Sequence, residues 1–465
     1  MQPRATGAAS RLGPRVSGVD VNGRRSAIYL LPMLPAYIEK TTPNPASNRA
    51  PWFVNTAPSY AGVFLWIAFY QTLAQGTIEK ASLGVCLLAL ALAGALSYGL
   101  FYYVPGMLGM KTGLPLYVVG SSTFGTTGGY LMPGLLMGLL QLGWFAVGTF
   151  YSTTFILKAA GSTAGPGSVE FAAVAVLWGY SMAYIGVKGI QYVAKASLFL
   201  NAIPLLMILF VFFQTMGGLS LHKPAVDDSM GAFLTILQTV IGFFATAGAA
   251  GVDFGMNSRN ESDVRMGGLT GIALAIVIAG GLPILSVAGA RALNPAITSY
   301  SYDAVIGAQG GFLASAMFIL FAVASITPAC FCAFIAGNSF STMIPGVPRM
   351  SSTMAGVTVA IVLAVTGAAA NLAAVFAIVG ASFGPICGAM VADYFLSGKQ
   401  WAGPREGINW AGYGAWAAGF AVGIQSTYQP AVVYSFVVGL VVYVALAKAG
   451  LQPAVVALQA KAASR

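Results

Sequence analysis

The sequence predicts an all-α integral membrane protein with twelve transmembrane helices. Of its 465 residues 57% are hydrophobic and only 7% are charged, against about 25% charged in a soluble protein. The apolar residues are also gathered into stretches of about 20, the length a helix needs to cross roughly 30 Å of hydrocarbon. With a mean hydropathy of +0.80, disordered, nucleic-acid-binding and secreted-scaffold readings are excluded. The four cysteines, Cys86, Cys330, Cys332 and Cys387, lie inside apolar runs, so neither a disulfide framework nor a metal site is expected.

The spans run over Pro58 to Thr77, Ser82 to Val104, Leu131 to Leu157, Glu170 to Val187, Val193 to Met216 and Gly231 to Val252. Six more follow: Gly267 to Ala290, Gly311 to Ala336, Ser352 to Ala370, Leu372 to Met390, Trp410 to Ser426 and Ala431 to Ala447. An even number of spans leaves both ends on one side. With this list, 18 Lys and Arg residues fall on the side of the termini and 4 (Lys80, Lys158, Lys223 and Arg291) on the other. Basic residues collect in cytoplasmic loops, so both termini are expected in the cytoplasm and the protein in the cytoplasmic membrane. Residues 1–57 read as a cytoplasmic tail. Its short Tyr29 to Pro35 piece fits either a loop packed on helix ends or an interfacial anchor or gate element.

All twelve acidic residues fall in tails, loops or span ends. A proton pump, a voltage sensor or an intramembrane hydrolase each needs buried titratable or metal-binding groups, so an enzyme is not expected. What the spans do carry is 58 Gly, 28 Phe, 20 Tyr and 7 Trp in the chain as a whole. Aromatic faces with a few amides and hydroxyls suit an uncharged, flat, polar ligand, because no opposite charge is at hand to compensate an ionic one.

Two spans look interrupted. In the sixth, Thr246-Ala-Gly-Ala-Ala-Gly251 follows Gly242-Phe-Phe244, and in the first, Gly62 and Gly76 bracket Phe64 to Phe69. Glycine weakens a helix where free backbone groups could meet a ligand. Spans one and six hold equivalent places if the chain is built from two five-helix repeats, residues 58–216 and 217–396, followed by two extra helices in 397–465.

Particular residues then carry a resemblance. Lys111-Thr-Gly-Leu114, Phe124-Gly125, Pro133 and Gln141-Leu-Gly-Trp-Phe-Ala-Val-Gly148 resemble the loop and third helix of bacterial cytosine permeases. Asp253-Phe254 with Ser258-Arg-Asn260 resembles the end of their sixth helix. Gly384-Pro385, Gly388 to Leu396 and Gly407-Ile-Asn-Trp410 look like the tenth-helix ending and following loop of the nucleobase-cation symporter family, whose members carry cytosine, purines, uracil, allantoin and hydantoins.

The resemblance implies a five-plus-five inverted repeat of the leucine-transporter kind plus two C-terminal helices. It implies a substrate held between aromatic faces of the third and sixth helices, Trp144 and Phe244. Gln141, one turn from Trp144, presents an amide at the ring edge. Thr246 supplies a hydroxyl, and Ala68 and Gly148 complete the implied substrate-binding set. A sodium site by correspondence would use the carbonyls of Phe64, Ile67 and Ala322 with the Ser325 hydroxyl. The eighth helix departs from the hydantoin carrier: it reads Ser325-Ile-Thr-Pro328, so Ile326 removes one hydroxyl, and Phe331 stands in place of a substrate-binding Asn. Sodium or a proton thus both stay open as the coupling ion, with Glu170 the acid nearest to serving a proton.

The function expected is import of a nucleobase or related heterocycle by cation symport with alternating access. No cofactor, nucleic acid or obligate protein partner is expected beyond the small heterocyclic substrate and membrane lipid. The rivals are a passive facilitator or channel for small neutral solutes, although no Asn-Pro-Ala pair or carbonyl-filter signature occurs, and an amino-acid carrier on the same fold. Asp253 reads as a helix-end or loop ion-pair residue.

Overall fold

The computed structural model describes residues 15–19, 25–29, 34–425 and 429–456. The Tyr29 to Pro35 piece thus lies mostly outside the described residues. A two-stranded antiparallel hairpin, β1 (Arg15–Val19) with β2 (Arg25–Tyr29), precedes the helical body and pairs Arg15 with Tyr29. Nothing in the reading of residues 1–57 as a tail anticipated it.

Nine helices among the described residues are long and apolar enough to cross a membrane. They are α2 (Leu83–Thr112), α3 (Gly128–Ala159), α4 (Val169–Gly189), α5 (Phe199–Leu221), α6 (Ser229–Ala249), α7 (Glu261–Leu293), α8 (Gly311–Met343), α10 (Leu372–Leu396) and α12 (Ala431–Lys448). The other three expected spans fall on shorter helices. The first becomes α1, in two halves, Thr56–Phe64 and Ile67–Tyr70; α9 is Arg349–Val365, closed off by Gly367 at φ +78°; α11 is Trp410–Ile424.

Sequence signals set half of the starts. Ser82, Ser168, Asp228, Asn260, Asn371 and Asn409 each accept a hydrogen bond from a backbone N–H of the following turn, which satisfies a donor the helix itself cannot. Glycine sets the closest approaches. A Cβ on Gly109 of α2 would land on the carbonyl oxygen of Val252, and one on Gly255 would land on Gly106. The segment after α6 can therefore lie flush on α2 only with bare backbone on both sides. Gly384, Gly388, Gly419 and Gly439 do the same where α10, α11 and α12 meet. Large apolar side chains such as Leu88, Leu177, Phe199 and Phe312 stay exposed, as hydrocarbon contact allows.

Charged networks hold the two ends. At one face, Arg405 donates to both Asp393 at the end of α10 (2.9 Å) and the Ser122 carbonyl (2.9 Å), while Ser122 Oγ donates to Asp393. The N-terminal segment crosses this face: Tyr37 OH reaches Thr126 O (2.7 Å), Asn44 Nδ2 reaches Asn257 Oδ1 (2.9 Å), Arg49 reaches Met110 O (2.8 Å) and Asn55 reaches Phe254 O (3.2 Å). We call it the N face. At the opposite, far face, Asp303 lies in the short helix Tyr302–Gly307. It accepts from Lys158 at the end of α3 and from Gln71 Nε2 at the end of α1 (2.6 Å), and its own N–H donates to Gln71 Oε1 (3.2 Å).

Candidate substrate site

Halfway between these faces the chain assembles an aromatic cluster. Trp144 extends from the middle of α3. Its Nε1 donates to Thr246 Oγ1 of α6 at 3.1 Å, and both side chains are buried. Phe243 meets the Trp144 ring edge-on at 4.8 Å, and Phe376 of α10 lies tilted against it at 5.5 Å. Phe243 and Phe376 touch in turn at 5.3 Å. Trp66, between the halves of α1, meets Trp144 at 6.0 Å. The rings that meet the indole and the group that accepts its N–H are thus all uncharged.

The expected residues are distributed unevenly over this cluster. Trp144 and Thr246 are directly bonded. Gln141, one turn towards the N face, is buried, and among the described residues its amide nitrogen approaches only the Met137 sulfur, at 3.6 Å. Phe244 is fully buried against Tyr60 (5.7 Å) and stacks on Phe64 (5.7 Å, 22°); its neighbour Phe243 is the one that faces Trp144. The reason is helical: adjacent residues point about 100° apart, so only one of the pair can face α3. Ala68 is fully buried in the second half of α1, and Gly148 leaves the space that the Trp66 ring fills, 3.0 Å from where its Cβ would be. Phe243, Phe376 and Trp66 were missed. The resemblance placed Phe244 opposite Trp144, whereas Phe243 meets it here, and no local signal marks Phe376 or Trp66.

A cavity of about 340 Å³ opens on the far-face side of the cluster. Gln75, Thr235, Thr239, Asn371 and Phe376 contribute to its lining, so Phe376 belongs both to this vestibule and to the wall against Trp144. A larger recess of about 470 Å³ borders Pro43, Lys111 and Trp401 at the N face. Size alone does not make it the site, since it lacks the convergent aromatic faces.

Breaks in the helices bring backbone groups to the same depth. In α1 the last regular bond is Leu65 N to Ala61 O (2.9 Å); Trp66 is extended (ψ 130°), and the ladder resumes at Phe69 N to Trp66 O (2.9 Å). In α8 the two halves, Gly311–Ala324 and Ile326–Met343, meet at Ser325. The Ser325 hydroxyl is 1% exposed and donates to Phe321 O at 2.9 Å; its oxygen lone pairs remain free to face a cation. The second half of α8 touches the first half of α1, which brings the elements bearing Phe64 and Ser325 together. Glu170 is exposed at the start of α4. Asp253 makes no ion pair among the described residues; its carboxylate accepts from Leu116 N at 2.9 Å.

An apolar helical body with broken helices around a central uncharged site is the build of a membrane transport protein, not an enzyme. Residues 43–447 match the family described as "Permease for cytosine/purines, uracil, thiamine, allantoin", and the chain belongs to this nucleobase-cation symporter family. It is 26% identical over 347 residues to the cytosine permeases of Escherichia coli strain K12 and of Escherichia coli O157:H7, an alignment covering 71% of this chain and 76% of each relative. Its fold is similar to that of Mhp1, a nucleobase-cation-symport-1 family transporter. The inward-facing Mhp1 structure gives a TM-score of 0.68 at 16% identity, covering 90% of this chain and 95% of that one. The closed structure with bromovinylhydantoin bound gives 0.64 at 17% identity, covering 88% and 95%.

Proposed function

We propose that the protein imports a nucleobase or closely related uncharged heterocycle through the cytoplasmic membrane, coupled to a cation and working by alternating access, with both termini in the cytoplasm. The observation that carries this reading is the environment of Trp144: a buried indole face whose neighbours, Trp66, Phe243, Thr246 and Phe376, are all uncharged. A flat heterocycle can stack there, with Gln141 and Thr246 at its rim, and an ion would find no countercharge. In this conformation Phe243 is the aromatic opposite Trp144.

The five-plus-five organisation, residues 58–216 and 217–396 with two helices after them, is supported by paired irregularities. α1 and α6 both end their regular ladder near mid-depth, and α2 and α7 each contain a π-helical turn, Ser97–Tyr102 and Leu269–Leu274. The cation would sit between the α1 break and the α8 joint, held by the carbonyl oxygens of Phe64, Ile67 and Ala322 and by Ser325 Oγ.

The test is uptake by purified protein in liposomes. Cytosine, uracil, adenine, guanine, hypoxanthine, allantoin and hydantoins are first ranked by the thermal stabilisation they give, and the best is then offered as a radiolabelled solute. Accumulation above the outside concentration under a cation gradient supports a symporter; equilibration without accumulation makes the protein a passive facilitator.

A further inference from the structure

The break in α1 brings a second indole to the site, and its polar edge has no internal use. Trp66 is 6% exposed, and its Nε1 has no acceptor among the described residues. The two indole N–H groups of the cluster therefore differ: that of Trp144 is satisfied by Thr246, while that of Trp66 is buried and unmet. Leaving a donor buried and unpaired costs free energy that an apolar ring of the same shape would not. Phenylalanine would fill much of the space against Trp144 and Gly148, so packing alone does not explain an indole here.

The surroundings point the same way. The Trp66 ring edge next to its nitrogen rests on Gly148, with Cζ2 at 3.0 Å and Cε2 at 3.9 Å from the position of a Cβ there, so any side chain at 148 would displace it. One turn further along the same face of α3, Ser152 Oγ is also buried and without a partner among the described residues. A second unmet polar atom thus lies on the Trp144 side of α3, towards the far face.

We propose that Trp66 is a substrate-binding residue whose indole N–H donates to a carbonyl oxygen or unprotonated ring nitrogen on the rim of the heterocycle stacked on Trp144. This rests on the reading that the protein carries such a heterocycle. It sets a selection rule: the ring edge turned towards the α1 break must bear an acceptor, and a ring presenting a C–H or N–H there is disfavoured because the indole stays unpaired. Gly148 is then required because it lets Trp66 reach that edge.

The test uses the purified full chain, with Trp66→Phe, which keeps an aromatic body and removes the N–H. Binding is measured by calorimetry for cytosine, or for whichever base of the panel wild type prefers, and for analogues with one acceptor deleted. For cytosine these are 4-aminopyrimidine, in which loss of the 2-carbonyl also turns N1 from a donor into an acceptor, and 3-deazacytosine, which lacks the ring acceptor N3 alone. The expected result has three parts. The ligand-free unfolding temperature of Trp66→Phe is unchanged or raised, its affinity for the preferred base falls about 2- to 12-fold, the range of one net hydrogen bond, and one of the acceptor-deleted analogues binds variant and wild type equally. If wild type binds a base and Trp144→Ala weakens it but Trp66→Phe binds within twofold of wild type, the Trp66 assignment falls while the functional reading stands. If Trp66→Phe lowers the ligand-free unfolding temperature and weakens base and analogues by one common factor, Trp66 is a packing residue and the proposal is overturned. If wild type binds no heterocycle of the panel, the functional reading fails and this site with it.

Discussion

Trp144 and Thr246 are joined across the site: the indole N–H of one donates to the hydroxyl oxygen of the other at 3.1 Å, linking α3 to α6 where their aromatic faces converge. Thr246→Val keeps the shape and removes the acceptor, so it is expected to cost about 1–3 kcal/mol in stability. Thr246→Ser should cost much less. Chemical unfolding of the three proteins checks this, and equal losses for Val and Ser would sink the bond's importance.

For the stacking face itself, Trp144→Ala is expected to weaken base binding about 5- to 150-fold, from the roughly 1–3 kcal/mol that aromatic stacking on a base is worth. Trp144→Phe should lose less, since a π-face remains. Calorimetric titration of both variants decides it; an unchanged affinity in Trp144→Ala removes this residue from the site.

Among the described residues the Gln141 amide nitrogen has only the Met137 sulfur as a partner, at 3.6 Å, which leaves most of its hydrogen-bonding capacity for a ligand. Gln141→Ala should change the rank order of bases, because a rim partner discriminates among ligands that stack equally well. A uniform loss for every base would contradict that role.

At the far face Asp303 ties α1 to α3. Burial alone would raise its carboxyl, but the charge and hydrogen bond of Lys158, with the hydrogen bonds of Ser301 and Gln71, outweigh it and hold it below the usual carboxylate range. A depressed acid contributes stability above its unfolded pKa of about 3.9 and loses it as pH falls through the lower folded value. In Lys158→Met the buried carboxylate loses its countercharge. The gap in unfolding temperature from wild type should therefore widen as pH rises from about 4 to 7; a gap independent of pH would show that the pair does not act through charge.

In the proposed cation site Ser325 would offer one side-chain oxygen, and Ile326 beside it none. Sodium dependence of uptake is expected to be weak, and Ser325→Ala should weaken it further. Uptake that saturates at low millimolar sodium and survives this substitution unchanged would contradict the assignment.

The orientation has its own check. A cysteine replacing His222 should react with an impermeant reagent in intact cells, while one replacing Arg259 should be protected. The reverse pattern would invert the molecule.

Much of the helical order was legible because span length and glycine breaks are local signals, and the glycine-rich end of the sixth span did interrupt it. The site was legible in part. Trp144 and Thr246 could be paired through a family pattern, but the facing of Phe243 rather than Phe244 depends on the rotation of one helix, which the local pattern left open. Phe376 comes from a helix far along the chain, and the unmet N–H of Trp66 is a property of the assembled structure. The beginning of the chain was least legible: residues that read as a plain polar tail make long-range hydrogen bonds to Thr126, Met110, Phe254 and Asn257.

That lacing makes the N face behave as a fastening with several catches under one thread. Residues 37–55 bind the loop before α3, the end of α2 and the segment after α6 at once, so parting any two of them pulls on the same stretch of chain. The bonds then share the strain and fail together. Opening of that side therefore carries a threshold, whereas the other side is held by the compact Asp303 cluster beside a vestibule of about 340 Å³.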